Sequence, residues 1–398
     1  MTTTAPAALE GLRVLDLSGP MGNYCGKLFA ELGADVILVE PPDGTPLRHE
    51  PPFAGDVPGP DSGLAFAYAN TGKRSVVLDL DRAEGARTLR DLARTADLVI
   101  ETERPGVAAA RGLAWADLSE GNPALVMTSI TPFGQDGPYG QDEADDLVLL
   151  ALGGLLALGG YRDGPPVRAA GDQAMAMGGL FGAVASMLAL TSAELTGAGQ
   201  HVDVSVQECV VLALENAVQF YDLEGTVRGR GSGVGDRAGA GVFACADGEI
   251  YILAGGIGGN RFWPNLVDWL ESEDVPEAAA LRGDRWGERE FVTGDEAKGI
   301  FNRVFGPFAA RRTKAELYAA AQRRRVPLCP VSTAADIVDN RQLAHRGFFV
   351  ENTGLGTLMP GAPYLLSETP WRTNGRAPRL GEHTEQVLSE IGRPGVSA

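Results

Sequence analysis

Carboxylates are the groups in this sequence best suited to do chemistry. Asp172 stands in Ala170-Gly171-Asp172-Gln173, between a proline-containing stretch (Asp163 to Arg168) and a run of small and apolar residues from 174 to 194. An aspartate there can cap a helix, whose N-terminal end favours negative charge. Beside a glycine, the same carboxylate could instead be presented to a ligand as a nucleophile. The residues alone leave both uses open. Asp142, Glu143, Asp145 and Asp146 place four acids within five positions, as a solvated loop or a helix start would. The histidines (His49, His201, His345, His383) are scattered, so neither a histidine-centred triad nor a histidine metal site is indicated. The cysteines (Cys25, Cys209, Cys245, Cys329) form no Cys-x-x-Cys pair, so no metal is expected and the thiols should be reduced.

The elements that must position these groups follow from the apolar pattern. Arg13–Ser18, Asp35–Pro41, Ser75–Leu80, Asp97–Glu101 and Ala124–Ile130 read as short strands, with helices over 24–33 and 82–95 between them. This alternation predicts an α/β fold whose large domain is Rossmann-like, with a doubly wound, mainly parallel sheet. The first turn carries Gly19, Gly22 and Gly26, and Glu40 ends the next strand, yet the spacing is not G-x-G-x-x-G. Helices are expected over 146–159 and 174–194, and a strand continuing into a helix over 201–222. The glycine-rich stretch 225–241 is a candidate domain boundary. Beyond it come a hairpin turning at Asp247-Gly248, several short helices over 260–325, a strand over 326–331 and a terminal helix over 383–391.

Composition narrows the function classes. The 398 residues hold 52 acids and 34 bases, a net charge of −18. Such a chain is not a general nucleic-acid binder, nor one that docks on membranes through a basic patch. At 44% hydrophobic and 22% charged it is globular. The N-terminus lacks the basic and apolar regions of a signal peptide, and the long apolar runs are broken by Gly and Ser. A cytoplasmic protein without a membrane span is expected.

Several blocks resemble the class III CoA-transferases (CaiB/BaiF-like), a family that includes formyl-CoA transferase, carnitine CoA-transferase and the 2-methylacyl-CoA racemases. They are LEGLRVLDLSG (9–19), LGADVILVEPPDG (32–44), NTGKRSVVLDL (70–80), IETERPGVAAARGL (100–113), SITPFGQDGPY (129–139), LTGAGQHVDVSVQE (195–208), RRVPLCPVST (324–333), HRGFF (345–349) and LGEHTEQVLSEIG (380–392), in family order. The resemblance implies an interlocked homodimer. Residues 1–224 would form the N-terminal part of the large CoA-binding domain, 225–325 a smaller α+β domain, and 326–398 a C-terminal part returning to the large domain. It also implies coenzyme A, as acyl-CoA, and a carboxylic acid as substrates, with no tightly bound cofactor and no metal. CoA contacts would fall on Met21, on Gly72, Lys73 and Arg74, and on Thr102, Glu103 and Arg104. Arg48 is a further cation, and Asp136 and Tyr139 would lie near the thioester.

In the transferase route the family implies, an aspartate attacks the acyl-CoA, and CoA is held as an aspartyl-CoA thioester before an acceptor acid receives it. Asp172 is the matching carboxylate, with the glycine loop 231–241 as a candidate to shield the site. Counting back from Gln200 by the family's usual spacing arrives at Met175, three positions beyond Asp172. The alternative is therefore a divergent member that binds acyl-CoA without the standard aspartate chemistry. The racemase branch fits less well, since its histidine and glutamate positions hold Asp145 and Ala244.

Overall fold

A computed structural model describes residues 6–161, 163–230, 236–255, 262–372 and 375–392. The chain divides into two compact units, one of residues 1–156, 168–215 and 344–398, the other of 157–167 and 216–343.

The first unit is built on six parallel strands: β1 (Arg13–Leu17), β2 (Asp35–Glu40), β3 (Arg74–Val77), β4 (Leu98–Glu101), β5 (Val126–Thr131) and β6 (His201–Ser205), in the order β3-β2-β1-β4-β5-β6. Successive side chains of a strand point to opposite faces. Val14, Val36, Leu98, Ile100 and Val126 pack on one face, while Leu15, Ile37, Val99 and Met127 pack on the other. Burial on both sides is why these strands read as unbroken apolar runs, each such side chain contributing about 1.5–3 kcal/mol. One face is covered by α1 (Asn23–Glu31) and the opposite face by α2 (Ala83–Ala93).

The order reverses between β1 and β4, and their following loops part there. Gly19 N–H donates to Thr102 Oγ1 at 2.8 Å across that point. Ligands of open parallel sheets bind in such a crevice at the carboxyl ends of the strands.

The helix expected over 146–159 is two. Gly153-Gly154 ends α3 (Asp146–Leu152), with Gly154 at φ +83°, before a short turn of helix at Leu155–Leu158. The 24-residue α4 (Gln173–Thr196) is apolar enough for a membrane span by composition. Here its Gly178, Gly179 and Gly182 are buried against Val206, against Tyr24 and Cys25 of α1, and against Ile130 of β5. Side chains at these glycines would hold the elements apart. The segment after β6 is also interrupted, between α5 (Val206–Leu212) and α6 (Ala217–Glu224), where Glu215 takes φ +53°.

The second unit pairs β7 (Ala240–Cys245), β8 (Gly248–Leu253) and β9 (Leu328–Val331) antiparallel. The hairpin turns at Ala246-Asp247, one residue before the expected pair, because Gly248 is already paired to Cys245. Its core is aromatic, with Trp263 and Trp286 stacked at 4.7 Å and Phe301 and Phe305 at 5.2 Å. The strand over 326–331 pairs with β8, so the return to the first unit falls at Ala344 and not at 326. The first crossing falls at Asn216, ahead of the glycine-rich stretch, because α6 groups with the second unit. The C-terminal helix α7 (Thr384–Glu390) then closes the first unit. Val77 N–H donates to Thr384 Oγ1 at 3.1 Å, and Glu390 pairs with Arg13 and Arg74.

Candidate active site

Asp172 immediately precedes α4, but its side chain does not cap the helix. Asp146 does so from the start of α3, accepting the Ala174 N–H at 2.7 Å while almost fully buried. Arg168 joins the two acids, donating to Asp146 at 3.0 Å and to Asp172 at 2.9 Å. The Asp172 carboxylate, 74% exposed, is thus free of a structural duty at the backbone and held from one side by a guanidinium. The four acids of the sequence also separate in role. Asp145 caps α3 by accepting the Val148 N–H at 2.9 Å, Asp146 caps α4, and exposed Glu143 pairs with Arg104.

Asp172 stands on a cleft of about 590 Å³ within the first unit. Asn23 and Tyr24 of α1, Tyr68 of the short helix Leu64–Ala69, and Met175 and Leu180 of α4 form much of its wall, with Glu50 at the surface. Burial pushes the Tyr68 phenol up to about 12 and raises Tyr24, so both rings present neutral hydroxyls. Met175 lines the same cleft as Asp172, so both positions singled out by spacing face one space.

The expected CoA contacts divide into two groups. Met21, Thr102, Glu103 and Arg104 follow β1 and β4 at the reversal point, Met21 packed partly into the core. Glu103 also lines a cavity of about 330 Å³ at the ends of β1, β2 and β3, together with Asp79, Asp81 and Arg111. Arg111, which the sequence reading missed, pairs with both Glu103 and Asp81. Arg104 is half exposed.

Lys73 is a different case. Its ammonium has no exposed surface and donates to Asp16 at 2.7 Å, Asn70 at 2.9 Å and the Asn23 carbonyl at 3.0 Å. Arg48 is equally buried in a two-point pair with Glu40, and Arg74 is held by Asp35 and Glu390. Breaking a buried pair to reach a phosphate would strand the other charge at a cost of about 3–5 kcal/mol. Lys73 and Arg48 are therefore framework charges, and their sequence context could not show this, since their partners lie 57 and 8 residues away. Gly72, at φ +73°, turns the chain into β3 and donates its N–H to Arg376 O. Asp136 and Tyr139 are exposed, with Tyr139 resting on Phe133 at 5.7 Å. Residues 231–235 of the expected shielding loop lie outside the described residues.

One titratable group at the reversal point is strongly perturbed. Glu101 ends β4 almost fully buried, and that burial pushes its carboxyl up to about 7 against the Ser129 hydroxyl and the Glu103 N–H, which favour the charged form.

This arrangement has known counterparts. A sequence profile described as CoA-transferase family III matches residues 9–384. The chain is 43% identical over 388 residues to the succinyl-CoA:(R)-benzylsuccinate CoA-transferase subunit BbsE of Thauera aromatica, covering 96% of this chain and 94% of that one. It is 31% identical over 391 residues to the succinate–glutarate CoA-transferase of Agrobacterium fabrum, covering 96% and 95%. The crystal structure of a CaiB/BaiF family protein from Brucella suis superposes with a TM-score of 0.84 at 27% identity, over 97% of this chain and 99% of that one. With the parallel sheet, its crevice and the sequence blocks in agreement, the chain belongs to CoA-transferase family III.

Proposed function

We propose that this enzyme moves CoA from succinyl-CoA to a second carboxylic acid with an apolar body, and that Asp172 carries CoA between them. The observation that supports it most is the Asp172 carboxylate, released from helix capping by Asp146 and standing on the cleft of about 590 Å³. The donor is suggested by the Thauera relative, whose name specifies succinyl-CoA, and the acceptor by the apolar wall. Asp172 attacks the thioester carbonyl, forming a mixed anhydride and releasing CoA thiolate. The thiolate attacks the aspartyl carbonyl, giving aspartyl-CoA and free succinate. The acceptor carboxylate repeats the sequence in reverse, regenerating the aspartate as the new thioester leaves. Half-exposed Arg104 and partly exposed Arg111 are the cations suited to the CoA phosphates, with Glu103 and Asp81 facing the nucleoside.

Two copies would interlock to complete the site. Leu180, Val184, Leu188 and Leu195 follow one face of α4 and stay open, Leu188 at 69% and Leu195 at 81% exposure. A second reading is favoured by Met175. If the family register holds, this chain is the subunit without the nucleophile, and a non-identical chain supplies the aspartate. The Thauera relative is itself named as a subunit.

The test is to incubate the protein with succinyl-CoA and trap the adduct with hydroxylamine. Aspartyl hydroxamate at residue 172, absent from Asp172→Asn, is the expected result. No adduct on the chain alone, but one on a co-expressed partner, would replace the first reading by the second.

A further inference from the structure

The second unit has a cavity of its own, about 170 Å³, bounded by the start of β7, the helix Asp295–Ala310 and Tyr161. Arg237 and Lys298 line it, and among the described residues no Asp or Glu does. Arg237 is partly buried, yet its guanidinium makes no hydrogen bond or ion pair with any described residue. Its Nε is sealed in the wall, whereas the two Nη groups are neither bonded nor enclosed and stay open to a ligand. A cation that has lost part of its water without gaining an acid is unusual in a chain of net charge −18.

The backbone fixes this guanidinium in place. Ala238 N–H donates to Val292 O at 2.8 Å, and Ala240 N–H to Arg237 O at 3.3 Å. Gly239, at φ +77°, packs so closely on Gly255 and Trp263 that a Cβ would lie 2.6 Å from the Gly255 nitrogen. Across the cavity, Lys298 and Asn302 stand one helical turn apart and so share a face. The acid beside Lys298 is Asp295, 3.7 Å away and fully exposed, a contact that costs little to give up. Val242 and Phe243 add apolar surface.

Size and charge together narrow the ligand. An apolar cavity of about 150 Å³ holds benzene, so this one takes roughly six to eight heavy atoms. The paired Nη donors of an arginine match the two oxygens of a carboxylate, and the ammonium supplies a second positive charge. We propose that the second unit binds a small dicarboxylate of four or five carbons, one carboxylate on Arg237 and the other on Lys298. None of the lining residues belongs to the unit that carries Asp172, and the proposal stands whether or not Asp172 carries CoA.

The experiment titrates the full chain with succinate, glutarate, butyrate and inorganic phosphate, followed by ligand-observed NMR. It uses the wild type, Arg237→Gln and Lys298→Gln, so that the second variant carries the test should the first not fold. Succinate or glutarate is expected to bind the wild type at least about tenfold more tightly than butyrate or phosphate, the worth of one charged hydrogen-bonded contact. Either substitution should reduce the dicarboxylate to the level of butyrate, and the wild type saturated with CoA should still bind it. Three results would overturn the site: no dicarboxylate binding, phosphate binding as tight as succinate, or a preference that survives both substitutions. Displacement of succinate by CoA would assign the cations to the CoA phosphates instead. A change of oligomeric state in the variants, read by sedimentation, would mean that the two cations hold carboxylates of another chain, and would equally overturn the proposal.

Discussion

Glu101 shows how burial alone can set the behaviour of a single group. Its carboxyl titrates near 7 in the folded chain, against about 4.3 when solvated. Between those values the native state holds the proton more tightly than the unfolded one, so this residue's contribution to stability falls as pH rises. The full difference is up to about 3 kcal/mol for a group so buried. Glu101→Gln keeps an oxygen for the Glu103 N–H but removes the titration. The variant should therefore be more stable than the wild type at pH 8, with the advantage shrinking towards pH 4.5. Denaturant melts at the two ends of that range check it, and equal slopes with pH would dispose of the idea. None of this could be read from the sequence, where Glu101 looked like the polar end of a strand. Its burial comes from β1 and β5, paired on either side through Leu17 and Ser129. Asp172 makes the same point in reverse. Its context suggested a helix cap, but Asp146, 26 residues earlier, takes that duty through a contact only the fold creates.

At the scale of elements, legibility tracks how local the cause is. The six strands of the parallel sheet were largely visible because each is buried on both faces and so carries a nearly continuous apolar run. The break of the 146–159 helix at Gly153-Gly154 was legible in principle, since paired glycines interrupt a helix. That β9 joins the second unit was not, because pairing partners leave no mark in a four-residue run. The junction of α4 and β6 shows what the Gly197-Ala198-Gly199-Gln200 segment is for. Gly197 ends the helix at φ +75°, a left-handed conformation that suits glycine. Gly199 has no such φ, but a Cβ there would lie 2.0 Å from the Leu125 carbonyl oxygen, at the edge of β5. The obstruction is backbone, which cannot rotate away. Gly199→Ala should cost about 1–3 kcal/mol by forcing the strands apart, as an overpacked core does. Gly197→Ala should cost about 1 kcal/mol through the positive φ. Equilibrium unfolding in urea separates the two, and a harmless Gly199→Ala would contradict the close approach of Gly199 to β5.

The whole molecule adds a constraint that no single residue carries. CoA is polyanionic, and this chain has a net charge of −18, so at long range the two repel. Capture must rest on a few local cations, and the structure shortens the candidate set. Lys73 and Arg48 are committed to buried acids, and Arg74 to the partly shielded Asp35 and Glu390. Arg104 and Arg111 instead pair with the exposed Glu143 and Asp81, contacts that cost little to exchange for a phosphate. Salt weakens both the distant repulsion and the local attraction, with opposite consequences for binding. Raising ionic strength from about 0.01 to 0.1 M shortens the screening length from about 30 to about 10 Å, and that removes the distant repulsion first. The association rate constant for CoA should therefore rise with salt, the reverse of a positively steered encounter. The dissociation rate should rise as well, because the Arg104 and Arg111 contacts are screened once formed. Arg104→Gln should raise dissociation at every salt concentration while leaving the salt dependence of association nearly as it was, since one charge changes the total little. Stopped-flow binding across that range decides the matter. An association rate that falls with salt would mean that a local positive field outweighs the acidic bulk, and that further cations face the ligand.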